Sequence, residues 1–326
     1  MTGYHGSLAF LVYDSRSGST LLSREVVAHL EGVFVTPEIG FDELFILGEE
    51  GLSRLGWSEV LRRLYAGHEF RNFHLDQKDA LGLVQPEGTK PLSLADGIYA
   101  LLAEFARYHD KFEPTWLVVK NGSHIRHWRS MMRAFGAGLT IIHVVRDPRA
   151  VINSKLRTPR PYCPQEVMAW GGPLLASVRW RRYVRQILCA RQQGVHIHEI
   201  RYEDMLAKPE RIMFGLAQFL GVKLRQVPET RTYSIPQAER SIHQKVLAPG
   251  IDERRWKAWT DELSSFDRFQ IESICGQDMM RVGYPVRANY QQLRQPLAWG
   301  LGWPRVLVGT FRHFWLKMKS ELRHPC

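Results

Sequence analysis

The sequence predicts an α/β fold, a single domain in which a central parallel sheet is flanked by helices. Three apolar runs of strand length, at 8–13, 116–120 and 140–145, are each followed by a segment with helical periodicity. Strands that alternate with helices are typical of parallel sheets, because the crossover helices cover the faces of the sheet. The chain has 326 residues, enough to bury one large core. We therefore expect one main domain over 1–290 and a separate tail over 291–326.

Charge and composition restrict the class of protein. The net charge of +11 indicates an anionic partner: a nucleotide, a polyanion, nucleic acid or a membrane surface. The four cysteines lie far apart without a C-x-x-C pair, which argues against a disulfide framework and against a structural zinc site. No signal peptide and no apolar run of about 18 residues are visible. We therefore expect a cytoplasmic protein.

The tail over 291–326 combines aromatic and basic residues. Five aromatic side chains stand there among arginines and lysines: Trp299, Trp303, Phe311, Phe314 and Trp315. This composition is typical of an amphipathic segment at a membrane interface. It equally fits a segment that packs on the domain or on a partner. The tail is therefore predicted to cover the domain, a partner or the inner membrane surface.

The first strand leads into a loop that is suited to binding a phosphate. A helix follows the loop, and its first N–H groups and its dipole favour an anion. Glycine lets the backbone approach closely, hydroxyl groups donate hydrogen bonds and arginine adds a planar cation. The residues concerned are Arg16, Ser17, Gly18, Ser19 and Thr20. Position 13 is Tyr and position 19 is Ser, so the loop is P-loop-like but not a Walker A motif. A tight turn that caps a helix is the alternative.

The strand over 140–145 runs into the sequence R-D-P-R-A-V-I-N-S. Arg146 lies at the carboxyl end of this strand. Asp147 and Pro148 predict the cap and the first turn of a helix. Ser154 follows two turns later, about 12 Å along the helix, so it can share a ligand with Arg146 only if the helix doubles back. An ordinary capped helix with a surface arginine is the alternative.

Other polar side chains follow the remaining predicted strands. Glu38 comes after the second strand, where open α/β sheets build their sites, although a solvated loop carboxylate would have the same position. His124 follows the third strand and is either a base or a partly exposed histidine with a local hydrogen bond. Tyr202 belongs to the sequence R-Y-E-D after the fifth strand.

Together these motifs resemble the sulfotransferases that use 3′-phosphoadenosine 5′-phosphosulfate (PAPS). The loop S-R-S-G-S-T resembles the family's (K/R)-S-G-(S/T)-(S/T) loop, in the Arg-bearing form of its carbohydrate-modifying and bacterial branches. R-D-P-R-A-V-I-N-S resembles the family's second motif, and the stretch from Tyr202 to Pro209 resembles Y-E-D-(L/M)-x-x-x-P. The resemblance covers about 8–285, and the first two motifs in this order are specific.

The resemblance implies how each residue would bind PAPS. Arg16 would lie by the bridging and sulfuryl oxygens. The 5′-phosphate would be held by Ser17, Gly18, Ser19 and Thr20. The 3′-phosphate would be held by Arg146 and Ser154, and Tyr202 would lie near the adenine. Two features depart from the family: Leu21 stands where cytosolic members have a stacking Trp, and the basic loop for the 3′-phosphate is matched at best by Arg254 or Arg255.

The resemblance also implies the reaction, an in-line sulfuryl transfer from PAPS to a hydroxyl acceptor with a general base and without a metal. Glu38 matches the base of glycan-directed members. Lys120 matches the lysine of a K-T-H-type strand end in cytosolic members, but His124 lies further along than expected. We expect Glu38 and Arg16 to be catalytic, with His124 as the alternative base. The expected acceptor is a carbohydrate or glycolipid, and nucleic acid is not an expected partner.

Two other functions remain open from the sequence. A nucleotide-dependent, kinase-like phosphotransferase would need a lysine in the loop and a carboxylate for magnesium. A non-catalytic module that binds polyanions or nucleic acid would rely on the net charge, and its binding would vanish at moderate salt.

Overall fold

The computed structural model describes residues 7–67, 70, 73–110, 114–160, 163–228, 256–287 and 295–323. The chain groups into two compact units. The first unit comprises Met1–Tyr13, Gly18–Val144 and Gln186–Pro236. The second unit comprises Asp14–Ser17, Val145–Arg185 and Gln237–Cys326.

The strands of the described residues form one large sheet and one small hairpin. They are β1 (Ser7–Tyr13), β2 (Val33–Glu38), β3 (Trp116–Lys120), β4 (Thr140–Val145), β5 (Pro159–Arg160), β6 (Cys163–Val167) and β7 (His196–Arg201). Five of these strands form a parallel sheet in the order β2-β3-β1-β4-β7, and β5 pairs with β6 in antiparallel fashion. Helices flank the parallel sheet, which confirms the predicted α/β fold class.

Helices make up most of the described structure. They are α1 (Ser19–His29), α2 (Asp42–Ala66), α3 (Gln77–Val84), α4 (Leu94–Asp110), α5 (Trp128–Phe135), α6 (Pro148–Arg157), α7 (Gly172–Gln192), α8 (Tyr202–Ala207), α9 (Pro209–Leu220), α10 (Trp259–Glu262), α11 (Ser265–Arg281) and α12 (Gln295–Arg323). Among the described residues, no helix has the combined length and hydropathy that crossing a bilayer requires.

Local sequence signals explain where several elements begin and end. All six residues of β4 are buried, and five of them are β-branched, as a central strand requires. The Asp147 carboxylate accepts a hydrogen bond from the Arg149 N–H at 2.8 Å, and Pro148 occupies the first turn of α6. Gly221 ends α9 in the left-handed conformation at φ 67°. The Asp147 cap confirms the predicted start of α6.

The first residues of two predicted helices differ from the structure. The sequence predicts one helix over 165–193, with an interruption at Gly171-Gly172-Pro173 as the alternative. β6 extends to Val167 and α7 begins only at Gly172, so the interruption is confirmed and the start at 165 was wrong. Gly172 has a positive φ of 70° and Pro173 lacks an N–H, so the helix cannot extend backwards through this pair. The helix predicted over 124–135 begins as a 3₁₀ segment, Gly122–His127, before α5.

The strand order determines which residues lie at the same edge of the sheet. β1 runs parallel to β3 on one side, with Leu11 opposite Lys120, and parallel to β4 on the other, with Tyr13 opposite Val144. Parallel strands present their carboxyl ends at a common edge, which is where ligands bind in open α/β sheets. The loop after β1 therefore begins beside the end of β3.

Candidate active site

The loop after β1 has a constrained backbone. Arg16 has a positive φ of 73°, a conformation that costs energy for a residue with a Cβ atom. Gly18 has φ 95°, and a Cβ atom there would lie 2.2 Å from Cδ2 of Tyr202. The ring of Tyr202 thus packs directly against Gly18, so a side chain is excluded at this position. The structure places the predicted adenine neighbour Tyr202 against the predicted phosphate loop.

The N-terminus of α1 has the properties of an anion site. Gly18 is its N-cap and supplies no side-chain hydrogen bond, so a ligand can approach the first N–H groups. Ser19 and Thr20 in the first turn are buried. Ser17 is 1% exposed, and its Oγ has no hydrogen-bond partner among the described residues. A buried hydroxyl without a partner is costly, and a bound phosphate oxygen would satisfy it.

Lys120, at the end of β3, contacts the same helix. Its Nζ donates to the Thr20 Oγ1 at 3.1 Å, and the side chain is only 2% exposed. A buried ammonium group beside the loop adds positive charge where its field is weakly screened. The sequence did not select Lys120 as a site residue. The sequence feature that could have identified it is a charged residue directly after the apolar run Trp-Leu-Val-Val, at the carboxyl end of a buried strand.

Glu38 lies at the end of β2, opposite Lys120 in the strand register. The hydroxyl group of Tyr13, the last residue of β1, donates a hydrogen bond to the Glu38 Oε1. Tyr13 is buried and Glu38 is half-buried. Among the described residues, no hydrogen bond engages the other carboxylate oxygen, Oε2. Tyr13 therefore orients the carboxylate and leaves one oxygen available to a ligand.

His124 lies in an apolar environment. Its Nε2 accepts a hydrogen bond from the Phe41 N–H at 3.0 Å, and its ring contacts the rings of Phe10 and Phe45. The side chain is fully buried, and this burial lowers the pKa of His124 to about 4. Its Nδ1 has no hydrogen-bond partner among the described residues. The imidazole is neutral at pH 7, but its Nε2 is already engaged by the backbone.

Side chains of the 3₁₀ segment form a hydrogen-bonded cluster with Asp42 of α2. His127 Nε2 lies 2.9 Å from the Asp42 Oδ1, and the Ser123 hydroxyl donates to Oδ2. Burial alone would raise the pKa of Asp42, but the hydrogen bonds from His127 and Ser123 outweigh it and lower the pKa to about 2. The cluster holds the 3₁₀ segment to the start of α2.

In the second unit, three predicted ligand residues lie together. Arg16 Nε donates to the Ser154 Oγ at 3.0 Å, although the two residues are 138 positions apart. Arg146 donates from Nη1 to the Arg16 carbonyl at 2.9 Å, and the Trp180 indole N–H donates to the Arg146 carbonyl at 3.2 Å. Arg146 and Ser154 thus both contact Arg16, which is the arrangement that shared ligand binding by Arg146 and Ser154 requires.

Three ion pairs in the second unit support this arrangement, and the sequence did not reveal them. Lys155 Nζ contacts the Asp14 Oδ1 at 2.5 Å and so ties α6 to the first loop residue. Arg149 contacts Asp147 at 2.6 Å and Glu272 at 3.0 Å, with all three side chains buried. Asp14 and Glu272 are more than 100 residues away from Lys155 and Arg149, which explains why spacing did not predict these two pairs.

Three further points of the sequence analysis concern Leu21, the two arginines Arg254 and Arg255, and metal binding. Leu21, which replaces a stacking Trp, is buried on α1. Arg254 and Arg255, proposed for the 3′-phosphate, lie outside the described residues. Within the described part of the chain, no group of three or more His, Cys, Asp or Glu side chains is placed to hold a metal ion.

Comparisons with known proteins agree on a family and a fold. A family model described as "Sulfotransferase family" matches residues 10–226. The sulfotransferase domain from the curacin biosynthetic pathway is 21% identical with a TM-score of 0.55, over 86% of this chain and 99% of that one. The sulfotransferase domain of the Synechococcus PCC 7002 olefin synthase is 23% identical with a TM-score of 0.53, over 88% and 98%. No curated protein matches the chain significantly.

Proposed function

The chain belongs to the sulfotransferase family, and from this premise we propose that it transfers a sulfuryl group from PAPS to a hydroxyl-bearing acceptor. The observation that best supports PAPS as donor is the cluster of Arg16, Ser154 and Arg146. Two guanidinium groups held beside a hydroxyl group suit phosphate and sulfate oxygens, to which arginine makes strong charge-assisted hydrogen bonds.

The two groups of residues would bind different parts of PAPS. In the second unit, Arg146 and Ser154 would hold the 3′-phosphate, and Arg16 would contact the bridging and sulfuryl oxygens. The remaining loop residues would hold the 5′-phosphate: Ser17, Gly18, Ser19 and Thr20. Tyr202, against Gly18, would lie near the adenine. The buried Ser17 hydroxyl without a partner supports a ligand at this loop.

The reaction would be an in-line displacement at sulfur. The acceptor oxygen forms a bond to sulfur while the bond from sulfur to the 5′-phosphate oxygen breaks. The products are a sulfate ester and 3′,5′-adenosine bisphosphate. Negative charge grows on the bridging oxygen during this step, so positive charge aimed at that oxygen lowers the barrier. Arg16 would supply that charge, and Lys120 would add to it through its position beside Thr20.

We assign the general base to Glu38 rather than His124. The carboxylate is half-buried, is oriented by Tyr13 and has one oxygen without a partner among the described residues, which could accept the acceptor's proton. His124, by contrast, is enclosed by aromatic rings and accepts a backbone N–H. A carbohydrate or glycolipid acceptor agrees with the Arg-bearing loop and with Glu38. Family membership favours this reaction over a kinase-like phosphotransferase and over a non-catalytic polyanion-binding module.

The test follows radiolabelled sulfur from PAPS to a panel of sugars, glycolipids, phenols and alcohols. We expect transfer to at least one carbohydrate acceptor without added magnesium. Glu38→Gln should lower kcat by about 10²–10⁴-fold, the usual contribution of a general base. Glu43→Gln is the matched control, since Glu43 lies on α2 and pairs with Arg63. Failure of the protein to bind PAPS would overturn the proposal, and a fully active Glu38→Gln variant would overturn the base assignment alone.

A further inference from the structure

Helix α12 exposes an unusually apolar surface. Seven large apolar side chains are 47–76% exposed there: Leu301, Trp303, Leu307, Val308, Phe311, Phe314 and Trp315. At 3.6 residues per turn they fall within one arc of about 160° around the helix. Contiguous apolar patches of this kind mark interaction surfaces rather than ordinary solvent-exposed protein. We call this set the apolar arc of α12.

The opposite side of α12 is already packed within the second unit. A Cβ atom on Gly302 would lie 2.6 Å from the Leu174 side chain, and one on Gly309 would lie 2.0 Å from the Trp170 carbonyl oxygen. His313 stacks on the Trp170 ring and contacts the buried Glu166 at 2.9 Å. Small residues thus bring one side of the helix close to its neighbours. The apolar arc points away from that packed side.

Charge indicates what the apolar arc contacts. The stretch 295–323 has five basic residues and one acidic residue, Glu321; the basic ones are Arg305, Arg312, Lys317, Lys319 and Arg323. Arg305 pairs with Asp267 at 2.5 Å, so the excess of positive charge comes from the other four. Arg312 is exposed next to the margin of the arc, where its guanidinium donates to the Gln165 carbonyl at 2.9 Å. Two copies of the chain joined through this surface would bring like charges together. An anionic lipid surface instead attracts them and accepts the aromatic side chains.

We propose that the apolar arc of α12 docks the protein onto an anionic lipid bilayer, with α12 lying in the plane of the interface. The apolar side chains enter the boundary between headgroups and acyl chains, and exposed Arg312 at the margin of the arc lies near the headgroup phosphates. Trp and Phe are well suited to this depth, because their rings are amphipathic or strongly apolar. The proposal does not depend on the reaction proposed above.

The experiment measures cosedimentation of the full-length protein with vesicles made of equal parts phosphatidylglycerol and phosphatidylcholine, or of phosphatidylcholine alone. We expect binding to the anionic vesicles that weakens as salt is raised, with at least tenfold weaker binding to the neutral ones. The double variant Leu307→Ser/Phe311→Ser should weaken binding roughly ten- to hundredfold, because two buried apolar side chains are lost. Ile46→Ser/Phe214→Ser is the matched control, since both residues are exposed apolar residues on other helices.

The outcomes distinguish a membrane from a second copy of the chain. Thermal unfolding and sedimentation velocity are measured for every variant without lipid. A double variant that keeps the wild-type unfolding temperature but loses vesicle binding supports the proposal. If the double variant fails to fold, Phe314→Ser replaces it with the same expectation. The proposal is overturned if wild type does not bind anionic vesicles, or if the α12 variant and the control variant bind them equally well. It is also overturned if wild type is a dimer that binds no vesicles and that only the α12 variant dissociates.

Discussion

The contact between Gly18 and Tyr202 gives a prediction whose size follows from the geometry. In Gly18→Ala, the new Cβ atom would lie 2.2 Å from Cδ2 and 2.5 Å from Cε2 of Tyr202. Carbon atoms pack comfortably at about 3.5–4.0 Å, so the ring or the loop must move by more than 1 Å, and overpacking of this kind costs about 1–3 kcal/mol. The positive φ of 95° adds about 1–2 kcal/mol for alanine.

A double-mutant cycle separates these two costs. Gly18→Ala should lower the free energy of unfolding by about 2–5 kcal/mol in the wild-type background. In a Tyr202→Ala background the clash is absent, so only the backbone strain of about 1–2 kcal/mol should remain. The free energies come from urea unfolding of the four proteins. Calorimetry with 3′,5′-adenosine bisphosphate should show weaker binding by Gly18→Ala, because the displaced loop no longer fits the phosphate.

An equal loss of unfolding free energy for Gly18→Ala in both backgrounds would mean that the ring of Tyr202 does not determine the requirement for glycine. Equal nucleotide affinity of Gly18→Ala and wild type would separately contradict the assignment of this loop to the 5′-phosphate.

Three further predictions concern the residues around the sheet edge. Tyr13→Phe should lower kcat about tenfold or more with little change in KM, because Glu38 loses the donor that orients it; an unchanged kcat would contradict this. Burial lowers the pKa of His124 from 6.5 to about 4. Between these pH values the unfolded chain therefore binds a proton more readily than the folded chain. The free energy of unfolding should fall by up to about 3 kcal/mol as the pH is lowered from above 6.5 towards 4. Urea unfolding at several pH values should show a smaller slope in His124→Leu, and an identical slope would refute the buried neutral imidazole. Lys120→Met should keep the fold and lower kcat more than nucleotide affinity; a purely structural role would instead lower the unfolding temperature and leave kcat unchanged.

Much of the fold was readable from the sequence because it depends on local signals. Four of the five strands of the sheet contain apolar runs, and β7 alternates polar and apolar residues. Asp147, Pro148 and Gly221 mark helix ends through their own backbone preferences. The Gly171-Gly172-Pro173 stretch shows the limit of periodicity, because the sequence left both a continuous and an interrupted helix open there. The positive φ at Gly172 does not permit a continuous helix.

The site was readable only as separate motifs. The loop, the residues after β4 and the residues after β7 could each be recognised from their order along the chain. Pairing between distant residues could not be recognised, since nothing local to Tyr13 indicates that its hydroxyl group reaches Glu38. Lys120 likewise acquires its position only when β3 pairs beside β1.

The central claim, that the protein binds a nucleotide with a 3′-phosphate, is tested most directly by calorimetry with 3′,5′-adenosine bisphosphate and 5′-AMP. We expect wild type to prefer the bisphosphate at least about a hundredfold, since charge-assisted hydrogen bonds from Arg146 and Ser154 contribute about 1.5–3 kcal/mol each. Arg146→Ala should reduce this preference to about tenfold or less. If Arg146 only supported the loop through the Arg16 carbonyl, Arg146→Ala would lower the affinity for both nucleotides equally. The control Arg62→Ala alters an exposed arginine on α2 and should change neither affinity. Equal affinity of wild type for both nucleotides would contradict the account.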